Sequence, residues 1–301
     1  MGFNRPDKIR QLIGALRTTA PQKVLLAVDG PRENHPQDAH LVKEVQSAVQ
    51  LIDWTDDVQT LFRETNLGLR QAVTEAVTWA ISDHGRVIVL EDDCIPGSSC
   101  VPFMQAGLQK YKDESTIGHI NGYNLVPAQH ISHNESPIRL TRYIESYAWA
   151  TWGRAWASYD DSLEWALNCS LSELAQVVGS KTAAIRWKIN FHDAATGRIN
   201  TWAYRWMATL WSKNLSTISP NVNLSAYDGH EGGTHTRRRV RWTELPVVDG
   251  SSIQADELST AGPDPRADAW TGHTVFRENF PGIVEGVAAS IAMEVLRRAR
   301  S

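Results

Sequence analysis

Three consecutive carboxylates, Glu91, Asp92 and Asp93, follow directly on the apolar run Val87 to Leu90. Like charges this close repel strongly unless a cation or tight hydrogen bonding compensates. A hard, oxygen-seeking ion such as Mg²⁺ or Mn²⁺ is the simplest remedy, because one or two carboxylates plus substrate phosphates are its usual surroundings. The plainer alternative is a solvated turn, or a helix N-terminus whose dipole stabilises the charge. The neighbouring sequence favours the ion. Asp29 ends the apolar run Val24 to Val28, and Asn121, Gly122 and Asn124 follow the run that ends at Ile120. A small-residue turn, Pro96-Gly97-Ser98-Ser99, follows the triplet. In open parallel sheets ligands bind beyond the carboxyl ends of the strands, so polar residues recurring at those positions point to one metal and diphosphate site.

Such residues need a sheet to bring them to a common edge. Ile9, Leu12, Ile13 and Leu16 recur at helical spacing after Pro6, and Lys23 to Val28 reads as a buried strand closed by Asp29-Gly30-Pro31. The alternation continues through a helix at Leu41 to Val49, a strand at Val58 to Arg63 and a helix at Ala72 to Ala80. A strand at Arg86 to Leu90, a helix at Val101 to Tyr111 and a strand at Thr116 to Ile120 follow. Alternating strands and helices predict an α/β fold with a mostly parallel sheet covered on both faces. A doubly wound sheet normally begins with an apolar strand, whereas this sequence opens at the turn that should follow one, and Asn4 and Arg5 would depend on that strand for position.

Composition changes near Tyr143: eight of the twelve tryptophans fall between Trp149 and Trp211. Residues 1–142 therefore form the expected nucleotide-binding half, 143–249 an acceptor-side and lid segment of the same domain, and 250–301 a C-terminal loop, Gly250 to Asp268, followed by an amphipathic helix. That helix, with Ile283, Val287, Ile291 and Val295 on one face and Arg297, Arg298 and Arg300 near its end, suits a domain cap, a dimer contact or a membrane surface. With 30 basic and 34 acidic residues the chain is near charge balance, which makes nucleic acid an unexpected partner. Cys94, Cys100 and Cys169 lack disulfide or zinc spacing, and no run is long enough to span a membrane, so a cytoplasmic protein is expected, or one at the inner face of the membrane.

Taken together, Phe3-Asn4-Arg5-Pro6, Val28-Asp29-Gly30-Pro31-Arg32, Arg63-Glu64-Thr65-Asn66-Leu67-Gly68-Leu69 and Leu90-Glu91-Asp92-Asp93-Cys94 resemble the nucleotide-binding half of GT-A fold glycosyltransferases. The nearest group is the bacterial relatives of the N-acetylglucosaminyltransferase that adds the first branch to N-glycans. Ala148-Trp149-Ala150-Thr151-Trp152-Gly153-Arg154-Ala155-Trp156, Pro220 to Leu224 and Gly233 to Thr236 extend the resemblance over roughly residues 3 to 240. It implies a Rossmann-like GT-A sheet, a nucleotide-sugar donor carrying UDP, a glycan, glycolipid or protein acceptor, a role such as polysaccharide biosynthesis, and Mn²⁺ or Mg²⁺ as cofactor. By the same resemblance Asp93 and His235 would serve the metal, Asp92 the ribose or the metal's water shell, and Glu91 the orientation of its neighbours. Asn4, Arg5 and Asp29 would meet the nucleoside, and Asn66 and Arg70 the donor at the start of a helix. Asp29 reads equally as a turn residue before Gly-Pro, Arg70 as a solvated helix residue and His235 as a structural histidine.

An inverting transfer needs a base for the acceptor hydroxyl, and carboxylates are the usual choice. Relatives carry an Asp before the tryptophan of the segment matching Ile199 to Trp206, where this sequence has Asn200 and Thr201. Asp193 is the expected substitute, ahead of Asp160, Asp161 and Glu145. Trp149, Trp152 and Trp156 could stack on a sugar but read more simply as core. Two other functions compete: a catalytically silent nucleotide-sugar-binding protein, motivated by the displaced base, and a sugar nucleotidyltransferase, which should show a Gly-rich N-terminal loop that is absent before Pro21.

Overall fold

A computed structural model describes residues 1–132, 135–229, 245–248, 258 and 260–298. In chain order the helices are α1 (Pro6–Leu16), α2 (Asp38–Ser47), α3 (Leu69–His84), α4 (Cys100–Lys110), α5 (Gly153–Trp156), α6 (Glu164–Asn168), α7 (Leu171–Val178), α8 (Lys181–Ala195), α9 (Ala203–Ser212), α10 (Pro265–Thr274) and α11 (Phe280–Arg298). The strands are β1 (Lys23–Val28), β2 (Asp57–Phe62), β3 (Arg86–Leu90), β4 (Cys94–Pro96), β5 (Ile117–Asn121), β6 (Ile138–Thr141), β7 (Ala148–Trp152), β8 (Ser216–Pro220), β9 (Ser225–Tyr227) and β10 (Thr260–Pro263). Local chemistry sets the boundaries. Pro6 opens α1, where its missing N–H costs nothing, and α3 runs between two glycines with positive φ, Gly68 at 77° and Gly85 at 69°. Ser170 and Glu173 cap each other reciprocally at the start of α7.

Six strands form one open sheet in the order β10-β6-β8-β5-β7-β3, and β1 pairs in parallel with β2 beside it. The sheet is mixed, which corrects the mostly parallel expectation. β7 runs antiparallel to both β3 and β5, and β6 runs antiparallel to β8, while β5–β8 and β6–β10 are parallel. The physical reason is that β5 and β7 are buried at every position, so neither shows the in-and-out alternation by which an antiparallel strand is normally recognised. The expected loop from Gly250 to Asp268 is also corrected in part: Thr260–Pro263 joins the sheet as β10, and Asp264 caps α10 by accepting from the backbone N–H groups of Arg266 and Ala267.

The first residues stitch the two sheets together. Gly2 N–H donates to Ala27 O at 2.9 Å and Gly2 O accepts from Asp29 N–H at 3.1 Å, while the Met1 amine donates to Leu90 O at 2.7 Å. The ends of β1 and β3 thereby flank the path that leads to Asn4 and Arg5.

One core, around Ile9, Leu12, Val28, Phe103, Met104 and Trp152, packs α1 and α4 on one face of the sheet. A second, aromatic core includes Trp149, Trp156, Trp187, Trp202, Trp206 and Trp211. Trp149, Trp152 and Trp156 are all buried, so these rings are packing rather than an open stacking surface. At the centre Trp206 Nε1 donates to His119 Nδ1 at 3.0 Å, and His119 stacks on Trp149. Burial pushes the His119 imidazole down to about 3, which keeps it neutral and able to accept that bond. Among the described residues no helix is long and apolar enough to cross a membrane. Replacing Trp206 with Ala should cost about 3–5 kcal/mol of folding stability, through the cavity left and the orphaned imidazole, as measured by urea unfolding.

Candidate functional site

The site is built where β1 and β3 end. Asp29 leaves β1 directly after buried Val28 and turns its carboxylate into a knot of donors: the backbone N–H groups of Gly30 at 2.9 Å, Leu67 at 3.0 Å and Gly68 at 3.1 Å, and Asn66 Nδ2 at 3.0 Å. Asn66 Nδ2 also reaches Gly30 O at 2.9 Å. A Cβ on Gly30 would lie 2.3 Å from the Thr65 backbone, so only glycine permits this approach. Asp29 and Asn66, expected to meet the donor, therefore pin the loop that opens α3. Asn200 stands over the same turn, with its Nδ2 3.5 Å from where a Gly68 Cβ would be.

Asn4 is likewise engaged, donating from Nδ2 to Asp38 Oδ1 at 2.9 Å. Arg32 grips the same carboxylate through Nε at 2.6 Å and Nη2 at 3.1 Å. The Arg32 hydrogen bonds hold the Asp38 carboxyl down to about 2. Arg5, the next residue, turns the other way. Its Nε donates to Asp92 Oδ2 at 3.2 Å, its Nη2 pairs with Asp92 Oδ1, and Nη2 lies 3.4 Å from Asp93 Oδ2. Burial works against the guanidinium charge, yet Asp92 and then Asp93 more than offset it, and the net effect raises its pKa.

The three carboxylates meet different surroundings. Asp92 is neutralised by Arg5. Glu91 is half-buried beside Trp202; desolvation first, then the charges of Asp93 and Asp92, push its carboxyl well above the ordinary range. The Asp93 carboxyl is also raised, by burial and by Asp92, with Arg5 opposing. Two buried oxygens, Glu91 Oε1 and Asp93 Oδ1, lack any hydrogen-bond partner, and so does the buried Arg5 Nη1. Unused acceptors and an unused cationic donor within one cluster leave capacity for a ligand that the fold does not consume. A second cation stands close by: Asp228 N–H donates to Asp93 O at 2.8 Å, and the Asp228 side chain pairs with Lys8 Nζ at 2.5 Å.

The chemistry of the donor set bears on a metal. Among the described residues no group of three or more His, Cys, Asp or Glu side chains is arranged to hold an ion. Asp93 Oδ1 is nonetheless a free, buried carboxylate oxygen, and Mg²⁺ or Mn²⁺ commonly takes only one or two such ligands when substrate phosphates supply the rest. His235, the other expected ligand, lies outside the described residues.

Two expected residues stand apart from this cluster. Arg70 pairs with Asp161, which Arg205 Nε also approaches at 3.3 Å. Asp193 accepts from Arg198 Nε at 2.8 Å and from Ser290 Oγ at 3.2 Å, which fastens α8 to α11. The carboxylate that does come to the site's edge is Glu145, which the sequence ranked behind Asp193. Glu91 N–H donates to Tyr147 O at 3.1 Å, so the residues just before β7 lie alongside the acidic triplet, and Glu145 N–H donates to Asn121 Oδ1 at 2.7 Å. Burial pushes the Glu145 carboxyl up to about 8, against the pull of Arg139. Tyr147 packs on Tyr227 with ring centroids 4.4 Å apart and on Tyr123 at 5.3 Å, forming a buried aromatic cluster that sequence spacing did not reveal. The only sequence signal for it was tyrosines adjoining Glu145 and Asp228.

No protein-family model and no curated protein matches the chain.

Replacing Arg5 with Met should destabilise the fold by about 3–5 kcal/mol at pH 7, because two buried carboxylates lose their counter-charge. The deficit should shrink as pH falls and the carboxyls take up protons, which urea unfolding at pH 7 and pH 4 would register.

Proposed function

We propose that this protein is a glycosyltransferase that moves a sugar from a nucleotide diphosphate donor, with UDP-sugars favoured, to a hydroxyl of a glycan, glycolipid or protein acceptor. The observation that carries this reading is the acidic cluster at the end of β3, whose Glu91 Oε1, Asp93 Oδ1 and Arg5 Nη1 are buried and unspent. The resemblance of the motifs from Phe3 to Cys94 to GT-A glycosyltransferases supports it. The free, buried cysteines suit a reducing cytoplasm.

In this mechanism Arg5 Nη1 donates to the donor diphosphate, while its other nitrogens keep Asp92 in place. Lys8 adds positive potential from the next turn of α1. The N-terminus of α3, held by Asp29, presents backbone N–H groups to an anionic group. Asp93 is the residue that would hold Mn²⁺ or Mg²⁺, and the bound ion would stabilise the negative charge of the departing nucleoside diphosphate. Asp92 and Glu91 orient Arg5 and Asp93. Glu145 takes the place expected for Asp193: in its ionised form, which becomes the major one above about pH 8, the carboxylate accepts the proton of the acceptor hydroxyl, which attacks the anomeric carbon as the diphosphate leaves. A silent nucleotide-sugar-binding protein remains the second reading, favoured by the engagement of Asp193 with Arg198 and Ser290.

Calorimetric titration with UDP and GDP, each with Mn²⁺, with Mg²⁺ and with chelator, tests the proposal. UDP should bind in a metal-dependent way, and Asp93→Ala should weaken that binding at least ~10-fold while leaving the melting temperature nearly unchanged. Binding of neither nucleotide by the parent protein, or unchanged Mn²⁺-dependent UDP binding in the variant, would overturn it. Binding without transfer to any acceptor would favour the silent relative.

Glu145 has a separate signature. Its carboxyl titrates near 4.5 in the unfolded chain and at about 8 in the native one, so between those values the native state holds the extra proton. Stability should therefore fall as pH rises from about 4.5 through about 8. Glu145→Gln should flatten that decline in urea unfolding at pH 5, 7 and 9.

A further inference from the structure

Residues 142–147, which carry Glu145 to the edge of the site, form neither helix nor strand. A segment without a hydrogen-bonded ladder takes its position from other bonds. Several of those come from the far end of the sequence. Asp264 accepts from Ser132 N–H at 2.7 Å and from Ser132 Oγ at 2.9 Å, and its own N–H donates to Leu140 O at 3.1 Å, so α10 begins fastened beside β6. Four residues on, buried Asp268 accepts from Thr141 Oγ1 and from Arg142 Nε at 2.9 Å. Beyond α10, Glu278 Oε1 accepts from Tyr143 Oη at 2.7 Å and from Trp187 Nε1. Two carboxylates of one segment thus take hold of Thr141, Arg142 and Tyr143, just before Glu145.

The hold is closest at Tyr143. A Cβ on Gly272 would fall 2.3 Å from Glu278 Oε2 and 2.8 Å from Tyr143 Oη, so a side chain there would push this bond apart. Glu278 N–H donates to Gly272 O at 2.8 Å, which closes the turn after α10 around the carboxylate. Phe276 stacks on the Tyr143 ring with centroids 5.0 Å apart. From Tyr143 the constraint passes to the site through two bonds. Asn121 Nδ2 donates to Tyr143 O at 3.3 Å, and Asn121 Oδ1 accepts from Glu145 N–H at 2.7 Å. Tyr143 is therefore fixed at its hydroxyl by the C-terminal segment and at its carbonyl by the last residue of β5, and the same asparagine holds Glu145.

Ring contacts with Phe276 and Trp211 would bury Tyr143 without its hydroxyl. The bond to Glu278 adds direction: it sets how the chain leaves β6. A general base must stand within hydrogen-bond reach of the proton it takes, and a misplacement of about 1 Å costs on the order of 100-fold in rate. We infer that Glu278, together with Asp268, is a positioning residue for Glu145, and that residues 264–278 act as a strap that sets where the Glu145 carboxylate stands. The inference rests on the reading of Glu145 as the base of the proposed transfer.

The test compares Glu278→Ala with Glu278→Gln, which keeps an oxygen for Tyr143 and Trp187. Three readouts are taken on the full chain: UDP release from UDP-glucose, UDP-galactose and UDP-N-acetylglucosamine with Mn²⁺ and water as acceptor, UDP affinity by calorimetry, and backbone amide exchange by mass spectrometry. Glu278→Ala should lower kcat at least ~10-fold, keep donor KM and UDP affinity within about 2-fold, and speed exchange at 143–147 at least ~10-fold. Glu278→Gln should stay within about 3-fold of the parent in all three. Should Glu278→Ala fail to fold, Tyr143→Phe, which keeps the ring and loses only the hydroxyl, takes its place. Parental kcat in the folded variant, or parental exchange at 143–147, overturns the strap. If the parent releases no UDP from any of these donors, the failure lies with the transferase reading, and exchange alone decides: a rise at 143–147 upholds the strap and no change overturns it.

Discussion

Burying three adjacent carboxylates at the end of a strand costs several kcal/mol per ion unless a counter-charge arrives with them. Arg5 is that counter-charge, and much of the architecture serves to deliver it. Residues 1–5 thread between the ends of β1 and β3, bonded to Ala27, Asp29 and Leu90. Asn4 is tied to Asp38, and the Arg32 guanidinium that grips Asp38 also lies 5.2 Å over the Phe3 ring. Pro6 then starts α1, whose Ile9, Leu12 and Ile13 sink into the core. The depth of that anchoring fixes where the guanidinium points. Moving α1 would leave Asp92 and Asp93 facing each other unscreened.

Counting hydrogen-bond capacity separates the two acidic positions at this edge. Asp29 accepts from three backbone N–H groups and from Asn66, so its oxygens are fully used in shaping the turn before α3. Glu91 and Asp93 each keep a buried oxygen without a donor, and Arg5 keeps an unpaired nitrogen. A polar atom buried and unpaired costs free energy, so three of them gathered in one charged cluster leave hydrogen-bonding capacity that the fold itself does not use. Both kinds of residue follow an apolar strand in sequence, and nothing in the local pattern distinguishes them. The distinction lies in partners from other elements.

The same point explains what the amino-acid sequence did and did not convey. The helices and strands up to β5, apart from β4, follow from apolar periodicity and from Gly and Pro punctuation, and α11 from the same signals. Strand direction does not, because β5 and β7 are buried at every position, which erases the clue. The acidic triplet is legible as a local run of charge, and Arg5 sits in a motif beside it. Asp193 stood out because it is close in sequence to Asn200, yet helical geometry turns it toward Arg198 and α11. Glu145 lies in a segment without regular structure, and only the pairing of Glu91 with Tyr147 brings it to the edge.

The reversal of β7 has a consequence for that edge. In a sheet of parallel strands, only residues that follow a strand reach the carboxyl ends, and those that precede one emerge on the opposite side. Because β7 runs against β3 and β5, with Leu90 opposite Ala148 and Asn121 opposite Trp149, its first residue stands beside their last. Residues 143–147 therefore pass over the same edge as Glu91 and Asn121, carrying Glu145 and Tyr147 with them. One antiparallel strand thus lets two segments distant in sequence meet at a single edge: charged residues from the ends of β1 and β3, and Glu145 and Tyr147 from the segment before β7. A uniformly parallel sheet would have to bring the second segment to this edge by a long inserted loop.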